Sequence, residues 1–241
     1  MTALQKELLA GRFEILREVG RGAAGVVFRA IDVQSAESAA LKIIAAGADA
    51  TSEHLRFLRE GEVLERLVHP GIVRLLGYGA LETSYADAAG RRYPPGTAYV
   101  AMEWLEGEDL AVRQRRAPLA IPVALDVIRQ TAEALACAHD ASIVHRDIKP
   151  SNIFLAYPSR PTEGKTSGLS TLRGGDRIDD GLPAGDPTTI AAKILDFGVA
   201  SSDDVTMSGA GAIVGTPAYM SPEQAQGVAA PDARSDIYSL G

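Results

Sequence analysis

The sequence has one cysteine, Cys137, among its 241 residues. A disulfide needs two thiols and a cysteine zinc cluster needs at least as many, so the chain can form neither by itself. No apolar run approaches the roughly 18 residues that a membrane-spanning helix requires. We therefore predict a cytoplasmic protein with no membrane segment within this chain, and we interpret Cys137 as a small buried apolar residue.

Positive charge is also in short supply. The chain has 24 Lys and Arg against 31 Asp and Glu, which gives a formal net charge of −7 and an isoelectric point near 5.2. Proteins that bind nucleic acid cluster Lys and Arg against the phosphate backbone, so we predict no nucleic-acid partner. With 46% hydrophobic and 23% charged residues, the chain can bury a large core as one domain or two lobes.

Short segments in the first part of the chain alternate apolar and polar side chains, a pattern typical of β-strands. The predicted strands are residues 13–20, 25–32, 39–44, 72–79 and 98–105. The first two are joined by a Gly-rich link, which predicts a β-hairpin.

Other segments have different patterns. Residues 52–68 place apolar side chains at three- and four-residue steps, and residues 121–143 do so over a longer span, so both are predicted helices. The stretch 82–97 contains Gly and Pro and is interpreted as a loop. Segment 156–190 is rich in Gly, Pro, Ser, Thr and Asp. We predict a disordered insertion there, because its apolar content is too low to offset the entropy of ordering.

Gly20, Gly22 and Gly25 form the spacing G-x-G-x-x-G between the first two predicted strands. Glycine lets backbone N–H groups approach phosphate oxygens closely, but a glycine-containing hairpin has the same spacing. These glycines join strand to strand and not strand to helix, which disfavours a dinucleotide-binding crossover. The spacing alone therefore leaves both interpretations open.

Further motifs follow the glycines in order. Lys42 lies on the third predicted strand, HRDIKPSN occupies residues 145–152, DFG occupies 196–198 and GTPAYMSPE occupies 215–223. With these motifs the chain resembles the eukaryotic-type, or Hanks-type, serine/threonine protein kinases, in a form typical of bacteria. The resemblance covers nearly the whole chain.

The resemblance implies an α+β, bilobal protein kinase fold over residues 13–241. The N-lobe, residues 13–105, would be a small antiparallel β-sheet with one regulatory helix, and the C-lobe, residues 106–241, would be larger and mainly helical. In the family, several further helices follow the segment that matches SDIYSLG. We therefore expect the C-lobe to be incomplete at the end of this sequence.

The implied activity is transfer of the γ-phosphate of ATP to Ser or Thr hydroxyls of protein substrates, with Mg²⁺ or alternatively Mn²⁺. Such a reaction depends on positioning and charge neutralisation. By resemblance, Lys42 would hold the α- and β-phosphates, and Glu60 would orient it, with Glu62 as the alternative. Asp147 would accept the proton of the substrate hydroxyl, and Lys149 would contact the transferring phosphate.

The same resemblance implies the metal and nucleotide sites. Asn152 and Asp196 would supply oxygen ligands to the metal. Asp109 is a candidate ribose partner, although a helix N-cap is an equally simple interpretation of it. The other implied nucleotide contacts are the glycines Gly20, Gly22 and Gly25, the apolar residues Val27, Ala40 and Phe154, the gatekeeper Met102 and the hinge residues Glu103 and Leu105.

Substrate and regulation follow from the same motifs. The sequence around Lys149 and the segment GTPAYMSPE favour serine or threonine acceptors over tyrosine. Arg146 precedes Asp147, which suggests control by (auto)phosphorylation of the activation loop at Thr206 or Ser208, with self-association as one route to it. A packed spine is also implied, made of Leu64, His145 and Phe197.

Two other classes compete with a protein kinase. A pseudokinase or ATP-binding scaffold would usually lack one of the four central residues, and all four are present: Lys42, Asp147, Asn152 and Asp196. A small-molecule kinase of related fold would not need GTPAYMSPE as a platform for a peptide substrate.

Overall fold

The computed structural model of the protein describes residues 8–22, 25–44, 61, 64–157, 190–197, 217–227 and 231–241. The predictions for Glu60, Glu62, Thr206 and Ser208, and for nearly all of the predicted insertion, lie outside these residues. Within the described part of the chain, no helix is both long and apolar enough to span a bilayer.

The first part of the chain is rich in β-strands, as the sequence pattern predicts. In chain order they are β1 (Phe13–Gly22), β2 (Gly25–Asp32), β3 (Glu37–Ile44), β4 (Leu75–Ala80), β5 (Tyr85–Ala86), β6 (Arg92–Tyr93), β7 (Ala98–Glu103), β8 (Gly107–Asp109), β9 (Ile153–Ala156) and β10 (Ala191–Ile194). An antiparallel five-stranded sheet has the order β1-β2-β3-β7-β4, and a smaller one has the order β10-β9-β8. The predicted N-lobe sheet is therefore confirmed.

The five-stranded sheet buries one face against apolar side chains. Along β2 and β3 every second residue is buried, as the two-residue period of a strand requires. The core on this outer face consists mainly of Phe13, Val26, Phe28, Ala30, Ala39, Leu41, Ile43, Leu81, Tyr85 and Ala101. The intervening residues of β2 and β3, including Val27, Ala40 and Lys42, are only half-buried on the opposite face.

The stretch 82–97 is not the simple loop that its Gly and Pro content predicted. It contains the hairpin of β5 and β6, in which Tyr85 pairs with Tyr93. The two tyrosine rings stack at 6.4 Å, and Tyr93 meets Phe28 edge to face at 6.4 Å. The missed signal was the aromatic content of the stretch, because large rings buried against a sheet stabilise an ordered hairpin.

The described part of the C-lobe contains four α-helices. They are α1 (Leu110–Arg116), α2 (Ile121–Asp140), α3 (Pro222–Ala225) and α4 (Ala233–Leu240). Helix α2 confirms the long predicted helix but ends three residues earlier, at Asp140 instead of residue 143. Cys137 on α2 is partly exposed and not fully buried as we predicted.

A second core joins α2 to the end of β10. It contains Leu67, Ile72, Ala134, Leu135, Ala138, Ile148, Ile194 and Phe197. The backbone N–H of Ile194 donates to Gly71 at 2.8 Å, and Val73 donates to Ile194 at 3.1 Å. This link ties β10 to the segment that leads into β4, so the two sheets hold a fixed relation at this point.

The predicted insertion 156–190 has ordered ends. Ala156 is buried in β9, Tyr157 donates from its hydroxyl to Glu108 at 2.6 Å, and Ile190 packs against a core that includes Ala192. The ordered residues at the two ends of this segment are few, so composition alone predicted an insertion that extends slightly too far at each end.

Candidate active site

Residues 145–152, the predicted catalytic loop, lead through a 3₁₀ turn, Pro150–Asn152, directly into β9. Strand β9 pairs antiparallel with β10, with Ile153 opposite Ile194, and the N–H of Leu195 donates to the carbonyl of Asn152 at 2.9 Å. Sheet pairing therefore places Asn152, at the start of one strand, beside the residue that precedes Asp196.

Three polar residues of the loop contact one another. The ammonium of Lys149 lies 2.7 and 2.9 Å from the carboxylate oxygens of Asp147. Asn152 donates from Nδ2 to the Asp147 carbonyl at 2.7 Å and to its carboxylate at 3.0 Å. Because the amide nitrogen makes both bonds, the amide oxygen is the atom that can serve as a ligand. The Asp147 side chain is 41% exposed, so its carboxylate is open to an incoming group.

Lys42 completes the site from the N-lobe. Its ammonium lies 2.8 Å from Oδ2 of Asp196, a residue far away in sequence. The Lys42 side chain is only 13% exposed, whereas that of Asp196 is 43% exposed. A largely buried ammonium paired with a more exposed carboxylate can hold a polyanion. Glu60, the expected partner of Lys42, lies outside the described residues.

A buried carboxylate holds the backbone of the catalytic loop. Asp236, at the start of α4, is 1% exposed and accepts the N–H groups of His145 at 2.8 Å and Arg146 at 2.7 Å. Nε2 of His139, on α2, lies 2.8 Å from the same carboxylate. Gln224 adds a bond from Nε2 to the Arg146 carbonyl at 2.7 Å.

These bonds surround a strained stretch of backbone. Arg146 and Asp196 are non-glycine residues with positive φ, 67° and 51° respectively. Such conformations are costly for L-residues and persist where the surroundings over-determine them. Arg146 directly precedes Asp147 and Asp196 is itself part of the polar site, so the fold holds the backbone of this site in a conformation that its residues do not prefer by themselves.

His145 is a structural residue of the site. Its side chain is fully buried, Nε2 lies 2.9 Å from the Leu195 carbonyl, and Nδ1 accepts the Asp147 N–H at 3.2 Å. These partners require a neutral ring that donates from Nε2 and accepts at Nδ1. Burial lowers the pKa of His145 below its ordinary value, which agrees with a neutral ring.

The predicted spine is present in the described residues. The rings of His145 and Phe197 meet edge to face at 4.8 Å, and Leu64 packs against the core that contains Phe197. Leu64 is helical in the structure and lies close to the end of the predicted regulatory helix. The spine therefore connects the catalytic loop to the start of the DFG motif and to that helix.

A cavity opens behind the lysine. It has an empty volume of about 500 Å³, including space open to solvent. Apolar side chains from the sheet and the β10 region form most of its wall, and Lys42 and Asp196 supply polar atoms. Its lining residues include Lys42, Leu64, Leu75, Val100, Met102, Asp196 and Phe197. The predicted gatekeeper Met102 thus lies beside the predicted phosphate-binding lysine.

Strand pairing relates four of the other predicted nucleotide residues to the rest of the fold. Val27 pairs with Lys42 across β2 and β3, and Ala40 pairs with Met102 across β3 and β7. Phe154 lies on β9 opposite Asp109 of β8. Asp109 caps α1 by accepting the Val112 N–H at 2.7 Å, which confirms the N-cap interpretation. A ribose contact by Asp109 stays a prediction.

The glycines differ in what they do. Gly25 has φ +132°, and a Cβ there would lie 2.0 Å from the Ile43 carbonyl oxygen, so the pairing of β2 with β3 itself requires glycine. At Gly20 and Gly22 a Cβ would meet nothing within 4 Å. The fold does not demand glycine at these two positions, which is compatible with a backbone that must approach a ligand.

Sequence reasoning missed three residues that support the site. Asp236 and Gln224 support the catalytic loop from far along the chain, and Lys193 on β10 pairs with the Glu103 carboxylate of the hinge at 2.6 Å. The only local signal was polar residues at the starts of α3 and α4, which helix capping explains equally well. Their partners are tens of residues away, so spacing could not reveal them.

The donor set suits a hard cation. Asn152 offers an amide oxygen and Asp196 a carboxylate, and Mg²⁺ is usually bound by one or two such groups together with phosphate oxygens. In the described residues, no group of three or more His, Cys, Asp and Glu could hold a metal ion. The two oxygen donors, Asn152 and Asp196, fit a metal ion that takes its remaining ligands from nucleotide phosphates and water.

Comparisons with known proteins agree with this geometry. A family model described as "Protein kinase domain" matches residues 13–241. The chain therefore belongs to the protein kinase family, and its fold is the bilobal kinase fold. Among solved structures, the kinase domain of PknI from Mycobacterium tuberculosis has a TM-score of 0.65 at 24% identity, over 99% of this chain and 72% of that one.

Two of the most similar curated relatives are bacterial serine/threonine-protein kinases. PknA of Mycobacterium tuberculosis is 34% identical over 97% of this chain and 46% of its own length. The kinase pkn2 of Myxococcus xanthus is 32% identical over 100% of this chain and 25% of its own length. The chain is thus similar in sequence to bacterial serine/threonine-protein kinases, and it spans less than half the length of these relatives.

Proposed function

We propose that the protein transfers the γ-phosphate of ATP to serine or threonine hydroxyls of protein substrates. One observation supports the proposal: Asn152, which bonds to Asp147 beside Lys149, directly precedes β9, and Asp196, which pairs with Lys42 of β3, closely follows β10, the strand that pairs with β9. This arrangement provides positive charge for phosphates, oxygen ligands for a cation and a carboxylate for the acceptor.

Each residue has a role in the reaction. Lys42 binds the α- and β-phosphates. Asn152 and Asp196 would hold Mg²⁺, which would supply positive charge to neutralise phosphate oxygens. Asp147 orients the acceptor hydroxyl and takes its proton. The hydroxyl oxygen forms a bond to the γ-phosphorus while the bond to the β-phosphate oxygen breaks, and Lys149 compensates charge on the transferring group.

The finer features of the proposal rest on the sequence. Mg²⁺ is the expected metal, with Mn²⁺ as the alternative, and the domain is expected to act in the cytoplasm. Activation follows phosphorylation of Thr206 or Ser208, whose phosphate would pair with Arg146. Self-association would allow one copy to phosphorylate another. Val27, Ala40, Met102, Glu103, Leu105 and Phe154 enclose the adenine.

The test uses the full-length protein with labelled ATP and Mg²⁺, followed by mapping of phosphorylated residues. Wild type should label Ser or Thr, and Asp147→Asn should not, although it binds ATP. Mixing wild type with a size-tagged Lys42→Met copy tests transfer between molecules. ATP binding without any transfer, with a range of protein acceptors and with either metal, would favour the scaffold interpretation.

A further inference from the structure

Glu18 occupies an unusual position beside the glycine-rich loop. It lies on β1 two residues before Gly20, and the register of β1 against β2 shifts between these two residues. Its carboxylate accepts two bonds from Arg21, from Nε and Nη2, both at 3.0 Å. Because Arg21 lies between Gly20 and Gly22, one carboxylate fixes a side chain that belongs to the loop itself.

A second guanidinium reaches the same carboxylate from a different part of the chain. Arg91, at the turn of the β5–β6 hairpin, donates from Nη2 to Glu18. Its Nε donates to Oδ2 of Asp87 at 2.6 Å. Arg91 therefore bridges two carboxylates, one in the hairpin and one next to the loop. The hydrogen bonds from Arg21, and to a smaller extent that from Arg91, lower the pKa of Glu18, so this carboxylate is ionised at neutral pH.

The hairpin end of this bridge is rigid. Asp87 is 7% exposed and accepts the N–H groups of Ala89 at 2.9 Å and Arg91 at 3.0 Å, and the Tyr93 hydroxyl at 3.1 Å. The Tyr93 ring packs on Phe28 of β2. Arg91 thus extends from a point that is anchored both by a buried carboxylate and by the core of the sheet.

An exposed ion pair usually contributes little to stability, because solvent screens it and ordering long side chains costs entropy. Here the bonds to Asp87 already order the Arg91 side chain before it reaches Glu18, which removes much of the entropy cost of the ion pair. The bridge therefore mainly determines the position of the loop and contributes only weakly to the free energy of unfolding.

We propose that the β5–β6 hairpin holds the glycine-rich loop in place for the phosphates of ATP, with Arg91 and Glu18 as positioning residues. The proposal rests on the nucleotide-binding role given above. A loop held in one position binds phosphates without first being ordered, so loss of the bridge should weaken binding of phosphate-bearing nucleotides and leave binding of the nucleoside unchanged.

The test compares Arg91→Gln with Arg92→Gln in the full-length protein. Arg92 is the neighbouring, exposed arginine of β6, so its replacement removes the same charge from the same hairpin. Calorimetry with MgADP should show about a two- to fivefold loss of affinity for Arg91→Gln and little change for Arg92→Gln. Adenosine affinity should be the same in all three proteins.

A double-mutant cycle sharpens the result. Glu18→Gln alone should weaken MgADP binding, and adding Arg91→Gln should cause little further loss, since both changes break one bridge. Arg91→Lys keeps the charge but cannot bridge two carboxylates in the same way, so it should resemble Arg91→Gln. Retained hairpin folding is checked by the thermal midpoint.

Three outcomes would overturn the proposal: equal losses for Arg91→Gln and Arg92→Gln, additive effects of Glu18→Gln and Arg91→Gln, or a parallel loss of adenosine affinity. Because the readout is nucleotide binding, wild type that binds MgADP without transferring phosphate contradicts the proposed kinase activity and still tests the hairpin. Wild type that binds no MgADP overturns both.

Discussion

The outer face of the N-lobe sheet and the catalytic loop are stabilised in opposite ways. The sheet face is held by many apolar side chains, among them Phe13, Phe28 and Leu41, each buried and each in contact with several others. The catalytic loop is held by one buried carboxylate, Asp236, and by a few directional bonds to the backbone of His145 and Arg146.

The two regions differ in how many contacts share the stabilisation. Apolar packing is non-directional and shared among many partners, so removal of one side chain weakens the sheet without changing its arrangement. A hydrogen-bonded carboxylate in a buried position has no substitute, and its loss leaves several donors unsatisfied. The strained backbone at Arg146 adds to this dependence, since only its surroundings keep it in place.

Asp236→Ala is expected to have the largest effect. It leaves the N–H groups of His145 and Arg146 and the ring of His139 without their acceptor, and losing a buried charged partner costs about 3–5 kcal/mol of unfolding free energy. Misplacement of Asp147 should lower phosphotransfer by about 100-fold. Urea denaturation and a kinase assay measure both.

The matched control for this change is Asp126→Ala. Asp126 lies on α2 with a 44% exposed side chain, so its loss should change stability by less than about 1 kcal/mol. If Asp236→Ala kept wild-type stability and activity, the loop would not depend on this carboxylate and the comparison would fail.

Leu41→Ala should have a comparable effect on stability but a much smaller one on chemistry. Leu41 is fully buried in the outer-face core, and such a truncation costs about 2–5 kcal/mol. Where the protein remains folded, we expect kcat within about threefold of wild type, because the site lies on the other face of the sheet. Leu125→Ala, at a 62% exposed position of α2, is the control. A collapse of kcat in folded Leu41→Ala would contradict the expected redundancy.

Acid should weaken the two regions at different pH. Burial lowers the pKa of His145, so the unfolded chain takes up a proton first and the contribution of His145 to stability decreases as pH falls below about 6.5. Asp32 behaves differently. Its bonds to Arg12, at 2.7 and 3.0 Å, lower its pKa from 3.8 to about 2, so its contribution is complete above the unfolded value and is lost as pH falls from about 4 to 2.

Urea denaturation between pH 7 and pH 3 measures this order. Relative to wild type, His145→Asn should flatten the decrease that begins near pH 6.5. The deficit of Asp32→Asn, on the order of 1–2 kcal/mol at pH 6, should shrink by about half near pH 3. A constant deficit of Asp32→Asn over this range would show that its carboxylate is not held ionised by Arg12.

Lys193→Met is expected to have the smallest effect. It removes the 2.6 Å ion pair with Glu103, whose carboxylate still accepts the Arg74 N–H at 2.9 Å. Since the pair is partly exposed, we expect a loss of about 1 kcal/mol of unfolding free energy. Arg129→Gln on the surface of α2 is the control. A loss as large as that of Asp236→Ala would show that the hinge is as dependent on one pair as the loop is.

Local pattern predicted most elements. Strands β1, β2 and β3 and helix α2 lie within a few residues of the segments predicted from alternation and periodicity, because these signals depend on neighbours along the chain. The hairpin of Tyr85 and Tyr93 was missed, since its strands are two residues each and are stabilised by contact with Phe28 and not by their own pattern.

The sequence by itself determined the family and was enough to predict which residues bear the chemistry, because Lys42, the HRDIKPSN segment and DFG are local motifs that can be recognised without a structure. Only the tertiary structure decided how these residues are held. Asp236 supports a loop about 90 residues earlier, and Arg91 reaches Glu18 across 73 residues. Such contacts depend on how strands and helices pack in space, and no periodicity along a single chain encodes which distant side chain will meet which backbone group.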